Sequence, residues 1–260
     1  MRPVVLLTDF GLADHYVGVL HAVLEREAPG VGRIDIGHQV PPGDVWTACF
    51  LLRCAWSSLP DDAVVLAVVD PGVGGDRRPL AVRIGGCWLV APDNGLASAV
   101  GVAAEAVALD WRRMGLPELS ATFHGRDLFA PAAARLARGD DPATLGDRVE
   151  PDGLEPCPIP EPDGNGGTNG GTWHAVVIHV DRFGNLITNL QAVAAPPVAV
   201  AWYGAPRPAR RARSYDEAAP GEVVLLEGSS GLLELAVNRG SAAALTGLCR
   251  GDAVDIASGG

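Results

Sequence analysis

The sequence has 260 residues, of which 48% are hydrophobic and 20% charged, and its formal net charge is −11 at pH 7. A chain of this length can bury one large core or two modest ones. The acidic balance argues against a nucleic-acid surface, because phosphate binding depends on Lys and Arg contacts. No stretch approaches the apolar length that crosses a membrane. These properties predict a soluble protein with a small-molecule ligand.

The cysteines and the start of the chain give information about the compartment. The five cysteines are odd in number and widely spaced, without a CxxC pair, so they indicate neither a disulfide framework nor a zinc cluster. The first ten residues contain only a short apolar run and no small-residue cleavage site, which gives no sign of export. We therefore expect a cytoplasmic protein.

The stretch around which we organise the sequence is residues 64–78, VVLAVVDPGVGGDRR. The apolar run 64–69 has the length and β-branched content of a buried parallel strand. Asp70 follows it in a DPG turn, so its carboxylate is expected at the carboxyl end of a strand, where α/β sheets bind ligands. A glycine-rich loop then leads to Arg77 and Arg78. The alternative is an ordinary turn with surface arginines.

Strands and helices alternate along residues 1–150. Asp14 and Asp44 each precede apolar residues at helical spacing, and we expect both to cap helices. Two further helices are predicted after the turns at 92–95 and 124–127. The predicted strands are 4–7, 34–36, 64–69, 80–84, 87–90 and 106–109. This alternation predicts an α/β domain, with a Rossmann-like, mostly parallel sheet and helices on both faces.

The composition changes after residue 150. Residues 151–172 are rich first in proline and then in glycine, and we interpret them as a linker. Residues 173–260 contain short predicted strands separated by turn residues, a pattern typical of a small barrel or sandwich. The strands are predicted at 175–180, 186–189, 198–202, 223–226, 232–237 and 253–256. We therefore predict that residues 173–260 form a small C-terminal β-barrel domain.

Three more polar groups stand out beside the one at Asp70. Asp9 follows the first strand and is placed to accept the two hydroxyls of a ribose, although it is equally suited to cap a helix. His124 opens a helix beside a glycine, where a lone histidine is more often structural than catalytic. Residues 181–189, DRFGNLITN, form a polar cluster between two strands, which a simple hairpin would also explain.

Taken together, these motifs resemble one family over nearly the whole chain outside 151–172. The motifs are TDFG at 8–11, DPGVG at 70–74, PDNG at 92–95, FHGRD at 123–127, DRFGNLITN at 181–189 and SSGLLELAVNRGSAA at 229–243. In this order they resemble the S-adenosyl-L-methionine hydroxide adenosyltransferases, also called adenosylmethionine hydrolases. The fluorinases and chlorinases are related enzymes of the same fold.

The resemblance implies an activity and an assembly. It implies that water cleaves S-adenosylmethionine to adenosine and L-methionine, without a metal and without a cofactor. It also implies a homotrimer, in which each active site lies between the N-terminal domain of one subunit and the β domain of its neighbour. No nucleic acid and no membrane is expected as a partner.

The resemblance also implies roles for individual residues. The family's catalytic triad falls on Asp70, Arg77 and His124, where the spacing of seven residues selects Arg77 over Arg78. The residues that match its substrate ligands are Asp9, Asp181, Asn185, Ser229, Ser230, Glu234, Val237 and Asn238. The resemblance assigns Asp9 to the ribose. It assigns Asp181, Asn185 and the two serines to the amino-acid end of the substrate. Glu234, Val237 and Asn238 are assigned to the adenine.

The chemistry can be argued from the residues themselves. A sulfonium carries a good leaving group, so the enzyme has mainly to place a water in line with the C5′–S bond. The attacking water becomes acidic as its oxygen gains positive charge, and Asp70 is the candidate to accept its proton. Arg77 would keep Asp70 ionised, and His124 would orient the water or relay the proton.

Three other functions would use some of the same residues. A halogenase of the same fold would have a serine where this chain has Gly125 and an aromatic residue where it has Gly43. Its nucleophile is a halide anion, which an acid, an arginine and a histidine arranged for water would repel or bind wrongly. A non-catalytic sensor of S-adenosylmethionine or adenosine would have no need of the triad. A metal-dependent phosphatase using Asp9 and Asp14 is the weakest of the three, because neither a third acidic ligand nor a lysine is evident.

Overall fold

The computed structural model describes residues 1–164, 171–192, 197–208 and 210–258. These residues divide into two compact units, Met1–Pro158 and Ile159–Gly260. The predicted domain limits, 1–150 and 173–260 around a linker, stay predictions. Residues 165–170 of that linker lie outside the described residues.

The first unit is built on a seven-stranded sheet in the order β2-β1-β3-β5-β4-β6-β7. Its strands are β1 (Val4–Thr8), β2 (Arg33–Gly37), β3 (Val64–Val68), β4 (Pro79–Ile84), β5 (Cys87–Pro92), β6 (Ala103–Leu109) and β7 (Gly146–Val149). The strand β3 is fully buried, as its unbroken apolar run predicts.

The sheet is mixed, whereas the sequence predicted a mostly parallel one. The pairings β2–β1, β1–β3 and β3–β5 are parallel, and the pairings β5–β4, β4–β6 and β6–β7 are antiparallel. The change of direction comes from the tight connection at Gly85-Gly86, which is too short for a crossover and forces β4 and β5 to pair as a hairpin. The parallel half carries the carboxyl ends that follow β1 and β3.

Helices cover both faces of this sheet. They are α1 (Tyr16–Glu27), α2 (Val45–Trp56), α3 (Leu96–Val100) and α4 (Ala130–Arg138), and a π-helical turn over Gly125–Phe129 leads into α4. Leu6 of β1 packs in one cluster with Leu20 of α1 and Leu136 of α4. Leu7 points to the opposite face, because side chains alternate along a strand, and α2 contacts β1 and α3 on that side.

The two predicted helix caps differ in outcome. Asp44 caps α2 as predicted: its carboxylate accepts hydrogen bonds from the backbone N–H of Thr47 at 3.1 Å and from the Thr47 hydroxyl at 2.7 Å. Asp14 was the wrong cap for α1. That helix begins at Tyr16 with His15 at its cap position, and His15 makes no side-chain capping bond.

The beginning of the predicted linker is held to the first unit. The Gly153 carbonyl accepts a hydrogen bond from Arg78, and the Glu155 carbonyl accepts one from the Ser98 hydroxyl at 2.7 Å. The Glu155 N–H donates to Asp93 at 2.9 Å. Residues 151–158 therefore behave as an edge of the first unit, although their composition predicted an unpacked stretch.

The second unit is a curled nine-stranded sheet in the order β12-β11-β16-β9-β10-β15-β14-β13, with β8 paired to β9. Its strands are β8 (Asp163–Gly164), β9 (Thr172–Val180), β10 (Leu186–Gln191), β11 (Pro197–Trp202), β12 (Ala205–Pro208), β13 (Arg210–Arg211), β14 (Val223–Glu227), β15 (Leu232–Val237) and β16 (Ala253–Ser258). The sheet curls far enough for β13 to approach β11. Its core includes Val177, Leu235 and Ile256, and one short helix, α5 (Ala242–Thr246), packs against β15.

The helices of the described residues are short. None of them has the length and apolar content that a membrane crossing requires.

We predict that Gly146→Ala lowers the stability of the first unit by about 1–3 kcal/mol. Gly146 begins β7 opposite Leu109, and a Cβ there would overlap the carbonyl oxygen of Ala108. Gly18→Ala is the matched control, because an added Cβ meets nothing within 4 Å on the exposed side of α1. It should raise stability by about 0.5–1 kcal/mol. Urea unfolding midpoints compare the two variants, and a Gly146→Ala midpoint at or above that of the wild type contradicts the prediction.

Candidate active site

Asp70 and Arg77 form the centre of a buried polar cluster just beyond β3. The DPG turn ends the strand and leaves the Asp70 side chain only 6% exposed, and the Arg77 side chain is 12% exposed. Arg77 Nε donates to both carboxylate oxygens of Asp70 at 3.0 Å, and its Nη2 donates to Oδ2. Arg77 also lies over the Phe129 ring, 5.5 Å from the centroid. The seven-residue loop is therefore closed by a two-point ion pair.

His124 joins this pair through the same guanidinium. Arg77 Nη2 lies 2.8 Å from His124 Nδ1. Since a guanidinium only donates, Nδ1 has to be the acceptor, and the single proton of a neutral imidazole is then on Nε2. His124 therefore presents an N–H donor on the side of the ring away from Arg77.

The electrostatics of the cluster favour the same state of His124. Burial lowers the pKa of His124 below its usual 6.5, and the charge of Arg77 lowers that pKa further, against the opposite effect of Asp70. The imidazole is therefore neutral at pH 7. Its position at the cap of the π-helical turn Gly125–Phe129 fixes it beside the loop that carries Arg77.

Asp9 lies near this cluster at the carboxyl end of β1. Its Oδ2 accepts a hydrogen bond from the Gly43 N–H at 2.7 Å, and Gly43, with φ of +71°, packs close to Pro71. Burial raises the pKa of Asp9, and the charge of Asp70 adds to the increase, while the Gly43 N–H opposes it. The structure thus brings Asp9 and Asp70 to the same edge of the sheet, as expected for neighbouring parallel strands.

Arg78 is turned to a different partner. It donates to Asp93 of the PDNG motif, through Nε at 2.8 Å and through Nη2. The next residue, Asn94, donates its side-chain amide to the Val69 carbonyl at 2.9 Å, directly before Asp70. The PDNG motif therefore supports the loop from the side. In the structure Arg77 is therefore paired with Asp70, and Arg78 with Asp93.

An aromatic cluster that sequence reasoning missed connects the TDFG and FHGRD motifs. The rings of Phe10, Tyr16 and Phe123 contact one another, with centroids 5.2 to 5.8 Å apart. A Cβ on Gly125 would lie 3.2 Å from the Phe10 ring, so the glycine permits this packing. The available signal was the presence of an aromatic residue in each motif, next to Asp9 and His124 respectively.

The second unit has a cavity of about 820 Å³, which is lined by both charged and apolar side chains. The predicted substrate ligands that line it are Asp181, Asn185, Ser229, Glu234 and Val237. Arg213 and Arg239 also line it, which gives the cavity both carboxylates and guanidinium groups. Arg239 has φ of 56°, a backbone conformation uncommon for a residue other than glycine.

Tyr215, which sequence reasoning did not select, links the polar groups of this cavity. Asn185 donates to Asp181 at 2.9 Å and to the Tyr215 hydroxyl at 3.3 Å, and that hydroxyl donates to Glu234 at 2.6 Å. Burial raises the pKa of Glu234, and Asp181 adds to the effect, whereas the bond from Tyr215 opposes it. The result is one connected network, in which the hydroxyl and the amide separate two carboxylates.

Two of the predicted substrate ligands lie elsewhere. Asn238 is buried and donates its amide to the Ala218 carbonyl at 2.6 Å, which occupies that side chain in holding a turn. Ser230 is half-buried and is absent from the cavity lining. Their substrate roles stay predictions.

In the described part of the chain, one group of side chains lies close enough together to bind a metal ion. His21, Asp35 and His38 bring ligand atoms within 4.8 Å of one another. None of these three residues belongs to the Asp70 cluster or to the cavity of the second unit.

Comparison with known proteins identifies the family. Residues 4–146 match the SAM hydroxide adenosyltransferase N-terminal domain and residues 175–255 its C-terminal domain. An (R)-S-adenosyl-L-methionine hydrolase of Salinispora tropica is 43% identical, over 97% of this chain and 96% of the relative. One of Thermus thermophilus is 44% identical, over 96% and 98%. The chain belongs to the SAM hydroxide adenosyltransferase family.

Structural and more distant relatives agree with this placement. The crystal structure of an uncharacterized conserved protein from Thermotoga maritima matches 97% of this chain and 99% of its own, with a TM-score of 0.88 and 34% identity. A fluorinase of an Actinoplanes species is 26% identical over 72% of this chain and 71% of the relative. The chain thus resembles the hydrolases more closely than it resembles this fluorinase.

We predict that His124 titrates below pH 6.5 and carries its proton on Nε2 at neutral pH. Imidazole ¹⁵N chemical shifts measured by NMR across a pH series report both properties. Arg77→Met should raise the pKa of His124, because a positive charge is removed while Asp70 remains. A wild-type pKa above 6.5, or a proton on Nδ1 at pH 7, contradicts the geometry.

Proposed function

We propose that this chain hydrolyses S-adenosyl-L-methionine, with a water attacking C5′ to give adenosine and L-methionine. The observation that carries the proposal is the Asp70–Arg77–His124 cluster in a chain of the SAM hydroxide adenosyltransferase family. The chain is accordingly an enzyme, a hydrolase. The reaction needs neither a cofactor nor a metal in this cluster, because the sulfonium already supplies the leaving group.

The proposed step is a displacement at carbon. The water oxygen forms a bond to C5′ while the C5′–S bond breaks, and the sulfur of methionine keeps the electron pair. Asp70 accepts a proton from the attacking water as positive charge develops on its oxygen. The bidentate contact with Arg77 supports this role, since it fixes the direction of the carboxylate before the substrate arrives.

His124 contributes as a donor in this scheme. With Nδ1 accepting from Arg77, the Nε2–H is available to hold the water oxygen and to point a lone pair at C5′. This favours the orienting role over the proton relay, because a neutral imidazole whose Nδ1 is already occupied has no free acceptor nitrogen. The lowered pKa of His124 supports the same assignment.

The remaining site residues are proposed to bind the substrate. Asp9 would accept the ribose hydroxyls beside Gly43. The cavity of the second unit would take the amino-acid end and the adenine, because its carboxylates and guanidinium groups match the ammonium and carboxylate of methionine. Asp181 and Asn185 are the proposed contacts to the amino-acid end, and Glu234 and Val237 the proposed contacts to the adenine.

We extend the configuration in the relatives' name to this chain and propose the R sulfonium as the preferred epimer. The two epimers differ in where the methyl group and the aminoalkyl arm leave the sulfur. A site that fixes both the ribose and the amino-acid end of the substrate therefore presents C5′ to the water in only one of the two epimers. Rates measured separately with the R and S epimers test this proposal.

The assembly and the setting are proposals as well. We propose a homotrimer with each active site between neighbouring subunits; the 75% exposed Phe183, which lines the cavity of the second unit, supports a partner that covers it. We propose the cytoplasm as the setting, in agreement with the five cysteines, which all lie in the described part of the chain as thiols and not in disulfides. We also propose that the two units are variants of a Rossmann-like domain and a small β-barrel.

The alternatives fit the residues less well. A halogenase has to strip water from a halide, and the Asp70 carboxylate beside that position would repel the anion. A sensor that only binds would not require Asp70, Arg77 and His124 to be connected. For a phosphatase, Asp14 is exposed, whereas Asp70 is buried in its ion pair with Arg77.

We predict that Asp70→Asn lowers the rate of methionine release by about 10²–10⁴-fold, because the amide keeps the shape but cannot accept the proton. Single-turnover assays with S-adenosylmethionine measure this rate. Asp14→Asn is the matched control and should leave the rate unchanged. A rate for Asp70→Asn within a factor of two of the wild type rejects the assigned base, and so does an equal loss of rate in Asp14→Asn.

We predict that chloride does not enter the product. In saturating chloride the enzyme should release adenosine, since the site is arranged for a neutral nucleophile that donates a proton to Asp70. Chromatography and mass spectrometry of the nucleoside product distinguish adenosine from 5′-chloroadenosine. Accumulation of 5′-chloroadenosine would assign the chain to the halogenases.

A further inference from the structure

His21, Asp35 and His38 form a second cluster with the chemistry of a metal site. His21 lies on α1, Asp35 lies on the edge strand β2, and His38 directly follows that strand. The Nε2 atoms of both histidines are 3.3 Å from the same oxygen, Oδ1 of Asp35. Two imidazoles and one carboxylate therefore point at one small volume.

The two distances from the histidine nitrogens to Asp35 Oδ1 are longer than those of a strong hydrogen bond. A charge-assisted N–H···O bond is usually about 2.7–2.9 Å long. His38 Nε2 has no hydrogen-bond partner, although the residue is only 5% exposed. Around a tetrahedral zinc ion with bonds of about 2.0–2.2 Å, neighbouring ligand atoms lie roughly 3.3–3.5 Å apart. Both nitrogen–oxygen separations have the length of such a coordination edge, and all three ligand atoms lie within 4.8 Å of one another.

Hydrogen bonds to its neighbours hold His38 in place, as is usual for histidines that bind metals. Its Nδ1 lies 2.9 Å from the Thr8 hydroxyl. With Nδ1–H donating to that hydroxyl, the lone pair of Nε2 points toward Asp35, where a carboxylate alone would repel it and a cation between them would be bound. The His38 carbonyl accepts from the Gly11 N–H at 2.6 Å, so both ends of this residue are held by the TDFG segment.

The cluster is also accessible. The side chains of His21 and Asp35 are 28% and 43% exposed, while that of His38 is 4% exposed. A cavity of about 380 Å³ is lined by Asp35 and His38 together with apolar residues that include Leu7 and Leu12. An ion bound by the three side chains would keep an open coordination position for a water.

We propose that His21, Asp35 and His38 bind one divalent transition-metal ion of the zinc class. Imidazole nitrogen favours Zn²⁺ and its neighbours over Mg²⁺ or Ca²⁺, which prefer oxygen ligands. The site is separate from the proposed reaction and does not depend on it. Through Thr8 and Gly11 the bound ion would hold the segment that carries Asp9.

The test uses the full chain after treatment with a chelator. Titration with Zn²⁺, followed by calorimetry, should show one ion per chain, and Co²⁺ should give the visible absorption of a four-coordinate site. His21→Ala should weaken Zn²⁺ binding by more than about 100-fold, the upper limit for loss of an outer-shell partner. Asp35→Asn, which preserves the shape, should weaken it in the same direction. His21 is half-buried and Asp35 is exposed, and circular dichroism verifies the fold of both variants.

His174→Ala is the matched control. His174 Nδ1 lies 2.6 Å from Asp255, at hydrogen-bond length, so this pair has a histidine and a carboxylate without the third ligand. The variant should bind Zn²⁺ as the wild type does. The proposal is overturned if the wild type shows no saturable Zn²⁺ binding, or if His21→Ala and Asp35→Asn bind Zn²⁺ as tightly as His174→Ala. Failure of this test leaves methionine release by the wild type unaffected.

Discussion

The guanidinium of Arg77 is the constraint on which the cluster of Asp70, Arg77 and His124 depends. It donates to both oxygens of Asp70 and to Nδ1 of His124 at the same time. Because a guanidinium never accepts, this contact decides where the proton of the imidazole lies and keeps the carboxylate facing one direction. In the proposed reaction, the base and the hydrogen-bond donor are therefore oriented before substrate binds. Preorganisation of this kind is what a displacement by water on a reactive sulfonium requires.

Local patterns predicted the elements that carry this cluster. The apolar run before Asp70 forms a buried strand, and Asp44 caps its helix, because in both cases the signal lies within a few neighbouring residues. The family motifs added Arg77 and His124, which no short-range rule connects to Asp70. The structure supplied a reason for choosing Arg77 that spacing alone lacks, since Arg78 is paired with Asp93.

Features that depend on distant contacts were not predicted. The sequence signals the hairpin at Gly85-Gly86, but only the fold shows that β4 and β7 run against the other five strands of the sheet. Tyr215 joins Asn185 to Glu234 across the second unit, and nothing in the sequence near it indicates a site. His21, Asp35 and His38 do not match a metal motif, because a helix and an edge strand bring them together only in the fold. Sequence patterns report periodicity, whereas these contacts depend on register.

The origin of the new oxygen atom tests the central claim most directly. The account has a single solvent water, held by Asp70 and His124, attacking C5′. In a single turnover in ¹⁸O-labelled water, mass spectrometry should find one ¹⁸O atom in the 5′-hydroxyl of adenosine and none in methionine. Unlabelled adenosine, or the label in an amino-acid product, would mean that the bond to C5′ is not broken by water, and would contradict the account.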